Sequence, residues 1–330
     1  MAARNNDVRW LQLLFLAAAA PAVAQEPPGQ WLDDMSSAVQ NLNYDGTFVY
    51  LHDGKLEAMR IIHQLGEGGE RERLVSLTGS AREVLRNNES VTCIMPDSKS
   101  VMVGQSRPRQ PFPVVPRDLD TLEKYYRIEN SGEDRIAGYL TRMISITPKD
   151  AYRYGYRFWI DKDSKMFLRS DLTDVDSKPI EQVMFTRLGI GIPIPDSELQ
   201  PSLTGDGYAW YHQDVSKETQ QAETQREPHW TVSRLPAGFD LTNYQRKRIR
   251  PDGEYGEHLV YSDGLATVSV YVETGPPDKD AYLGLSSMGA INAYRVVVDS
   301  HLVTVVGDVP AVTVKMMAES VQQHEDSPDA

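Results

Sequence analysis

The residue types that most often carry catalysis or bind metals are scattered along this chain of 330 residues. The seven histidines lie at positions 52, 63, 212, 229, 258, 301 and 324, and none has the spacing of zinc ligands. The chain holds no His-Glu-x-x-His motif, no phosphate-binding glycine-rich loop and no Gly-x-Ser-x-Gly motif. We therefore predict neither an enzyme nor a metal or cofactor site. A hydrolase remains the weaker alternative, because the members of a catalytic triad meet in space and need no sequence motif.

Apolar side chains that alternate along predicted strands are better candidates for a binding function. Residues two positions apart on a strand point to the same face of a sheet. A strongly curved sheet with one apolar face can enclose a ligand cavity. The nine candidates for lining such a cavity are Phe48, Tyr50, Met59, Ile61, Phe158, Ile160, Phe167, Val183 and Phe185. The alternative is that these residues only fill a hydrophobic core.

Two groups of arginines are candidates for polar recognition. Arg107 and Arg109 stand among four prolines in residues 106–117, a composition that excludes a helix and an interior strand. Such a constrained basic loop could bind phosphate or carboxylate groups. The second group consists of Arg246, Arg248 and Arg250, which alternate on a predicted strand and therefore share one face. That face could bind an acidic peptide. The alternatives are a solvated connector and an ordinary hydrated sheet face.

The first 24 residues have the composition of a cleavable export signal. Arg4 and Arg9 precede the apolar run Leu11–Ala20, and Ala22-Val23-Ala24 forms a small-residue cleavage site. The apolar run is too short to span a bilayer. Removing the signal leaves a net charge of −14, from 32 basic and 46 acidic residues, which excludes nucleic acid as a partner. Export also places Cys93, the only cysteine, in a compartment where it has no partner for an internal disulfide.

The pattern of predicted elements divides the mature chain into two domains. Residues 25–210 begin with an amphipathic helix at about 30–41 and continue as short strands separated by turns. Connections of this length favour antiparallel pairing, so the fold class is α+β with a curved antiparallel sheet. Residues 211–228 are rich in Gln, Glu, Thr and Lys, which is typical of a linker.

The remaining residues predict a smaller second α+β domain. Strands occupy most of residues 229–322, and a helix is expected at about 310–321. Asp308 stands where it could cap the free N–H groups at the start of that helix. Residues 323–330 are expected to form a disordered tail.

Several segments, taken in order, resemble the RseB/MucB family. In the first domain they are Leu42–Tyr50 and Tyr156–Asp161. In the second domain they are Leu235–Phe239, Val260–Ala266, Gly289–Tyr294 and Val303–Pro310. The resemblance covers essentially the whole mature chain, and its motifs are specific in combination.

The resemblance implies a periplasmic negative regulator of a sigma-E or AlgU type sigma factor. Its partner would be the periplasmic domain of an inner-membrane anti-sigma factor of the RseA or MucA type. Binding would shield that partner from the site-1 protease, and lipopolysaccharide or another acyl-chain ligand would release it. The resemblance also implies a first domain like LolA and LppX, an unclosed antiparallel β-barrel with a helical lid, and a smaller second domain that binds the partner. A lipid or lipoprotein carrier of the LolA kind is the runner-up, and a homo-oligomer remains possible.

Overall fold

The structure is a computed structural model that describes residues 26–106, 119–202, 205–212, 227–248, 255–273 and 282–324. We call residues 26–212 the N-terminal domain and residues 227–324 the C-terminal domain. Each domain has its own sheet and its own cluster of buried apolar side chains.

The described residues of the N-terminal domain form twelve strands, two α-helices and one 3-10 helix. The helices are α1 Pro28–Asn41, α2 Leu119–Tyr125 and the 3-10 helix Asp196–Leu199. The strands are β1 Tyr44–His52, β2 Lys55–Gly66, β3 Gly69–Ser76, β4 Glu83–Asn87, β5 Ser90–Met95, β6 Ser100–Gln105, β7 Tyr126–Ile136, β8 Tyr139–Pro148, β9 Gly155–Asp161, β10 Phe167–Thr173, β11 Pro179–Ile190 and β12 Ala209–His212.

These twelve strands form one sheet in the order β12-β6-β5-β4-β3-β2-β1-β11-β10-β9-β8-β7. Neighbouring strands are antiparallel except for β12, which is parallel to β6. Strands β12 and β7 are the two edges, so the sheet of the described residues is unclosed. The predicted fold class, α+β with an unclosed antiparallel sheet and a smaller second domain, is confirmed.

Helix α1 covers the concave face of this sheet. Its apolar residues recur at helical spacing, and Trp31, Leu32, Met35 and Val39 are buried in the same cluster as side chains of the sheet. Pro28 suits the first position of the helix, where a missing N–H leaves no hydrogen bond unmade. The helix therefore forms one layer of the domain and the sheet forms the other.

Within its described ranges, the C-terminal domain combines two small sheets with one helix. Its elements are β13 Trp230–Val232, β14 Asp240–Arg248, β15 Tyr255–Ser262, β16 Thr267–Glu273, β17 Gly284–Met288, β18 Ile291–Val298, β19 His301–Gly307, α3 Ala311–Ala318 and β20 Val321–Gln323. Six strands form an antiparallel sheet in the order β14-β15-β16-β19-β18-β17, and β13 pairs with β20. Helix α3 packs on β18 and β19.

Two details of the C-terminal helix differ from the sequence prediction. The helix ends at Ala318, three residues early, because Val321–Gln323 pair with β13 as a strand. Asp308 does not cap the helix among the described residues, since its Oδ1 accepts a hydrogen bond from the Thr267 N–H at 3.5 Å. The side chain thus holds a strand of the sheet instead of the start of α3.

The predicted linker and tail fall largely outside the described residues. Tyr211 and His212, which the sequence prediction assigned to the linker, form the end of β12 on the edge of the large sheet. Residues 213–226 and 325–330 lie outside the described part of the chain. Within the part that the structure describes, no helix has the length and apolar character needed to cross a membrane.

Candidate functional site

The structure brings all nine cavity candidates together on the concave face of the large sheet. They occur as four pairs two residues apart plus Phe167, as the alternation of strand side chains requires. The buried members are Phe48, Met59, Ile61, Phe158, Ile160, Phe167 and Phe185, while Tyr50 and Val183 pack on them and are partly exposed. Five neighbouring strands therefore contribute to one apolar surface.

The pairing of strands explains how the aromatic rings of this surface meet. Phe48 on β1 lies opposite Phe185 on β11 and opposite Met59 on β2. The Phe185 ring lies edge-on to Phe48, with ring centroids 5.7 Å apart, and edge-on to Phe167 at 5.6 Å. Gly46 makes room for this ring, because a β-carbon there would lie only 2.8 Å from Phe185. In the described structure, the candidate side chains and those of α1 form one packed core.

One end of the apolar surface carries a polar contact. The hydroxyl of Tyr50 donates a hydrogen bond to Oε2 of Glu181 at 2.8 Å. Burial, with the hydrogen bond to Glu181, raises the pKa of Tyr50 above its usual range. A carboxylate thus borders the apolar surface at Tyr50.

The basic candidates are only partly within the described residues. Arg107 and Arg109 lie outside them, as does Arg250. Arg246 lies in β14 opposite Glu257, and the backbone of Arg248 ends the same strand. Strand β14 is an edge of the six-stranded sheet, so its alternating basic residues stand at a border of the C-terminal domain.

A buried arginine joins the two domains. The Arg153 side chain is fully buried, and its Nη1 donates to Oδ2 of Asp263 in the C-terminal domain at 2.6 Å. Its Nη2 donates to the carbonyl oxygen of Ala237 at 2.7 Å, and its Nε donates to Oδ1 of Asp150 at 3.1 Å. The guanidinium also lies over the Phe239 ring, 5.2 Å from its centroid. The contacts with Asp263, Ala237 and Phe239 cross the domain boundary, while Asp150 and the rings of Tyr125 and Tyr126 contact Arg153 from within the N-terminal domain.

Asp263 is equally well provided with partners. Tyr126 of the N-terminal domain donates its hydroxyl to Oδ2 at 2.8 Å. The N–H groups of Leu265 and Ala266 donate to Oδ1 at 2.9 and 2.8 Å. Burial and the negative charge of Asp263 hold the pKa of Tyr126 well above its usual range. The boundary therefore holds a buried ion pair with its hydrogen-bonding groups satisfied, which favours a defined docking geometry.

Further hydrogen bonds extend this domain boundary. Asn292 donates to the Tyr154 hydroxyl at 3.0 Å, and Thr313 donates to the carbonyl oxygen of Tyr152 at 2.7 Å.

Burial, with smaller contributions from nearby Asp263 and Glu181, raises the pKa of Asp308 to about 6. The carboxyl of Asp308 therefore acquires its negative charge only as the pH rises through about 6.

The residues of this boundary were not predicted from the sequence. Arg153 and Asp263 are 110 positions apart, and no local pattern marks an arginine as buried. The available signal was weak: Asp263 lies in the segment Val260–Ala266 and Asn292 lies in Gly289–Tyr294, both of which carried the resemblance. The described residues contain no group of three or more His, Cys, Asp or Glu that could hold a metal ion.

Comparison with known protein families accounts for both domains. Residues 27–203 match the MucB/RseB N-terminal domain, and residues 224–322 match the MucB/RseB C-terminal domain. The chain belongs to the MucB/RseB family. MucB/RseB proteins similar to it include the Sigma factor AlgU regulatory protein MucB of Pseudomonas aeruginosa, 30% identical over 94% of this chain and 96% of the relative. The Sigma-E factor regulatory protein RseB of Escherichia coli K12 is 27% identical over 94% of each chain.

Solved structures of MucB also resemble this MucB/RseB chain. MucB in complex with MucA(peri) has a TM-score of 0.68 and 26% identity, covering 90% of this chain and 99% of that one. The MucA/MucB complex of Pseudomonas aeruginosa has the same TM-score with 28% identity, covering 90% of this chain and 98% of that one. The similarity extends over both domains, and the two named relatives are regulators of sigma factors.

Proposed function

We propose that this protein is a periplasmic regulator that binds the periplasmic domain of an inner-membrane anti-sigma factor of the MucA or RseA type. It shields that domain from site-1 proteolysis and releases it on binding lipopolysaccharide or another lipid. The observation that carries the proposal is the similarity, over 90% of this chain, to a MucB that forms a complex with MucA(peri). The predicted export signal in residues 1–24 supports a periplasmic location.

Lipid binding is assigned to the concave face of the N-terminal domain. An acyl chain gains about 0.8 kcal/mol for each CH₂ group it buries, so an apolar surface is a sufficient receptor. All nine candidate residues lie on that face, on the neighbouring strands β2, β1, β11, β10 and β9. To bind there, a chain must open a space between α1 and the sheet. Arg107 and Arg109 are proposed to contact the anionic headgroup.

The anti-sigma factor is assigned to the C-terminal domain, with the basic strand β14 as its contact. Changing Arg246 and Arg248 to Glu is expected to weaken partner binding, and the loss should be larger at low salt than at high salt. The reason is that exposed charges about one Debye length apart are screened as ionic strength rises. The measurement is the dissociation constant for the purified periplasmic domain of the anti-sigma factor at about 50 and 500 mM salt.

Arg295 offers a matched control for this charge reversal. It is an exposed arginine on β18 in the same domain, so Arg295→Glu changes the domain's net charge but leaves β14 intact. Partner affinity should remain within about twofold of the wild type in this variant. An equal loss at both salt concentrations in the β14 variant would indicate misfolding and remove β14 from the proposal.

A carrier of the LolA kind remains the second candidate, and the apolar concave face favours it. The regulator uses its C-terminal domain to bind the anti-sigma factor, whereas a carrier needs no second domain that binds a regulatory partner. A protein that binds lipid but not the anti-sigma factor domain would establish the carrier.

A further inference from the structure

One carboxylate touches both the concave face and the C-terminal domain. Glu181 lies on β11, beside the strand that carries Tyr50. Its Oε2 accepts the hydrogen bond from the Tyr50 hydroxyl at 2.8 Å, and its Oε1 accepts one from the Ala290 N–H at 3.1 Å. Tyr50 belongs to the proposed lipid-binding face, while Ala290 lies in the turn between β17 and β18. A single side chain therefore connects the two regions.

The turn at Ala290 is built for this close approach. Gly289 has a φ of +58°, and a β-carbon there would lie 2.9 Å from Oε1 of Glu181. Ala290 is buried, so its N–H depends on the carboxylate as an acceptor. Asn292, two residues on, is held by the Tyr154 hydroxyl of the N-terminal domain at 3.0 Å. The position of the turn is thus set by contacts with the other domain.

Tyr50 is the member of the pair that a ligand would move. It packs against the buried cluster but is itself only partly buried, whereas the neighbouring Phe48 is buried. An acyl chain that binds on this face displaces a partly exposed ring such as that of Tyr50 more readily than a buried one. Glu181 then loses a donor, and a carboxylate that loses a hydrogen bond in a half-buried place gains by moving into water.

We propose that Glu181 is a positioning residue that couples occupancy of the concave face to the docking of the C-terminal domain. Displacement of Tyr50 releases the carboxylate, and its departure leaves the Ala290 N–H without its acceptor. The C-terminal domain, which holds the anti-sigma factor, is thereby loosened from the N-terminal domain. This inference rests on the proposed function, because it assumes that lipid binding and partner release are coupled.

The test compares Tyr50→Phe with Tyr139→Phe. The first variant removes only the hydroxyl that bonds Glu181. The second removes a hydroxyl that donates to the Leu188 carbonyl oxygen at 2.7 Å, a contact within the N-terminal domain. Partner affinity is measured for each full-length protein with and without purified lipopolysaccharide, and lipopolysaccharide binding is measured separately. Glu181→Gln serves as the second variant of the relay, since it keeps the shape of the side chain and removes its charge.

We expect lipopolysaccharide to weaken partner binding about tenfold or more in the wild type and in Tyr139→Phe. In Glu181→Gln, whose side chain is not among the nine candidates for the lipid-binding face, the effect should fall below about threefold while lipopolysaccharide still binds. In Tyr50→Phe the same fall is expected at lipopolysaccharide concentrations that saturate the variant. A Tyr50→Phe protein that binds lipopolysaccharide and releases its partner like the wild type would overturn the relay alone. Absence of release from the wild type would instead overturn the lipid-release step of the proposed function, and the relay with it.

Discussion

Asp263→Asn is expected to separate the two domains while leaving each of them folded. The substitution keeps an oxygen to accept the N–H groups of Leu265 and Ala266, so the local turn survives. It removes the negative charge from a fully buried pair and leaves the Arg153 guanidinium, also fully buried, facing an amide. Breaking a buried ion pair by removing one partner typically costs about 3–5 kcal/mol.

The protein can avoid this cost by separating its domains, without unfolding either of them. Arg153 and Asp263 lie on opposite sides of a domain boundary, so the arginine regains water if the domains move apart. The free-energy penalty of the unpaired arginine therefore cannot exceed the free energy that docks the two domains. It should appear as separation of the domains. We expect a larger radius of gyration in small-angle X-ray scattering and separate unfolding transitions for the two domains in calorimetry.

Asp171→Asn provides the matched control for this prediction. Asp171 is likewise fully buried and paired with two arginines, Arg157 and Arg169, but all three belong to the N-terminal domain. Its substitution should lower the unfolding temperature of that domain and leave the radius of gyration unchanged. If Asp263→Asn retains the wild-type radius and a single transition, the ion pair does not hold the domains together.

Phe185→Ala is expected to destabilise the N-terminal domain by about 3–5 kcal/mol. The ring is 1% exposed and lies against Phe48, Phe167 and Gly46, so its removal leaves a cavity in the middle of the concave face. If this face accepts acyl chains, a chain can occupy that cavity and recover part of the lost stability. The rise in unfolding temperature on adding a fatty acid such as laurate should then exceed the rise seen for the wild type.

A cavity in the other domain tests whether this recovery is specific. Leu259 is 1% exposed and lies in the C-terminal core, so Leu259→Ala makes a cavity of the same kind away from the concave face. We expect no recovery by laurate in that variant. Equal recovery in both variants, or none in Phe185→Ala, would show that the concave face is an ordinary core.

The concave face could be predicted from sequence because its information is local. Phe48 and Tyr50, or Phe158 and Ile160, are two residues apart on a strand, and alternation alone places each pair on one face. The end of helix α3 could not be predicted in this way. Val321 continues the apolar spacing of the helix, but its pairing with Val232 of a distant strand ends the helix earlier.

The contacts at the domain boundary could not be predicted from the sequence, because they join residues that are far apart along the chain. Arg153 follows a polar turn, and such an arginine is most often exposed. It is buried because Asp263, Ala237 and Phe239, which arrive from the C-terminal domain, satisfy its charge and cover it. Only the folded chain shows that these residues meet. The same is true of the contact between Glu181 and Ala290.

The proposed function depends on binding of this protein to a membrane anti-sigma factor. The most direct measurement is the titration of the full-length protein with the purified periplasmic domain of the anti-sigma factor from the same organism. We expect saturable binding that lipopolysaccharide weakens about tenfold or more. Failure of the anti-sigma factor domain to bind, in a protein that binds lipopolysaccharide, would rule out the proposed regulator and favour a lipid carrier.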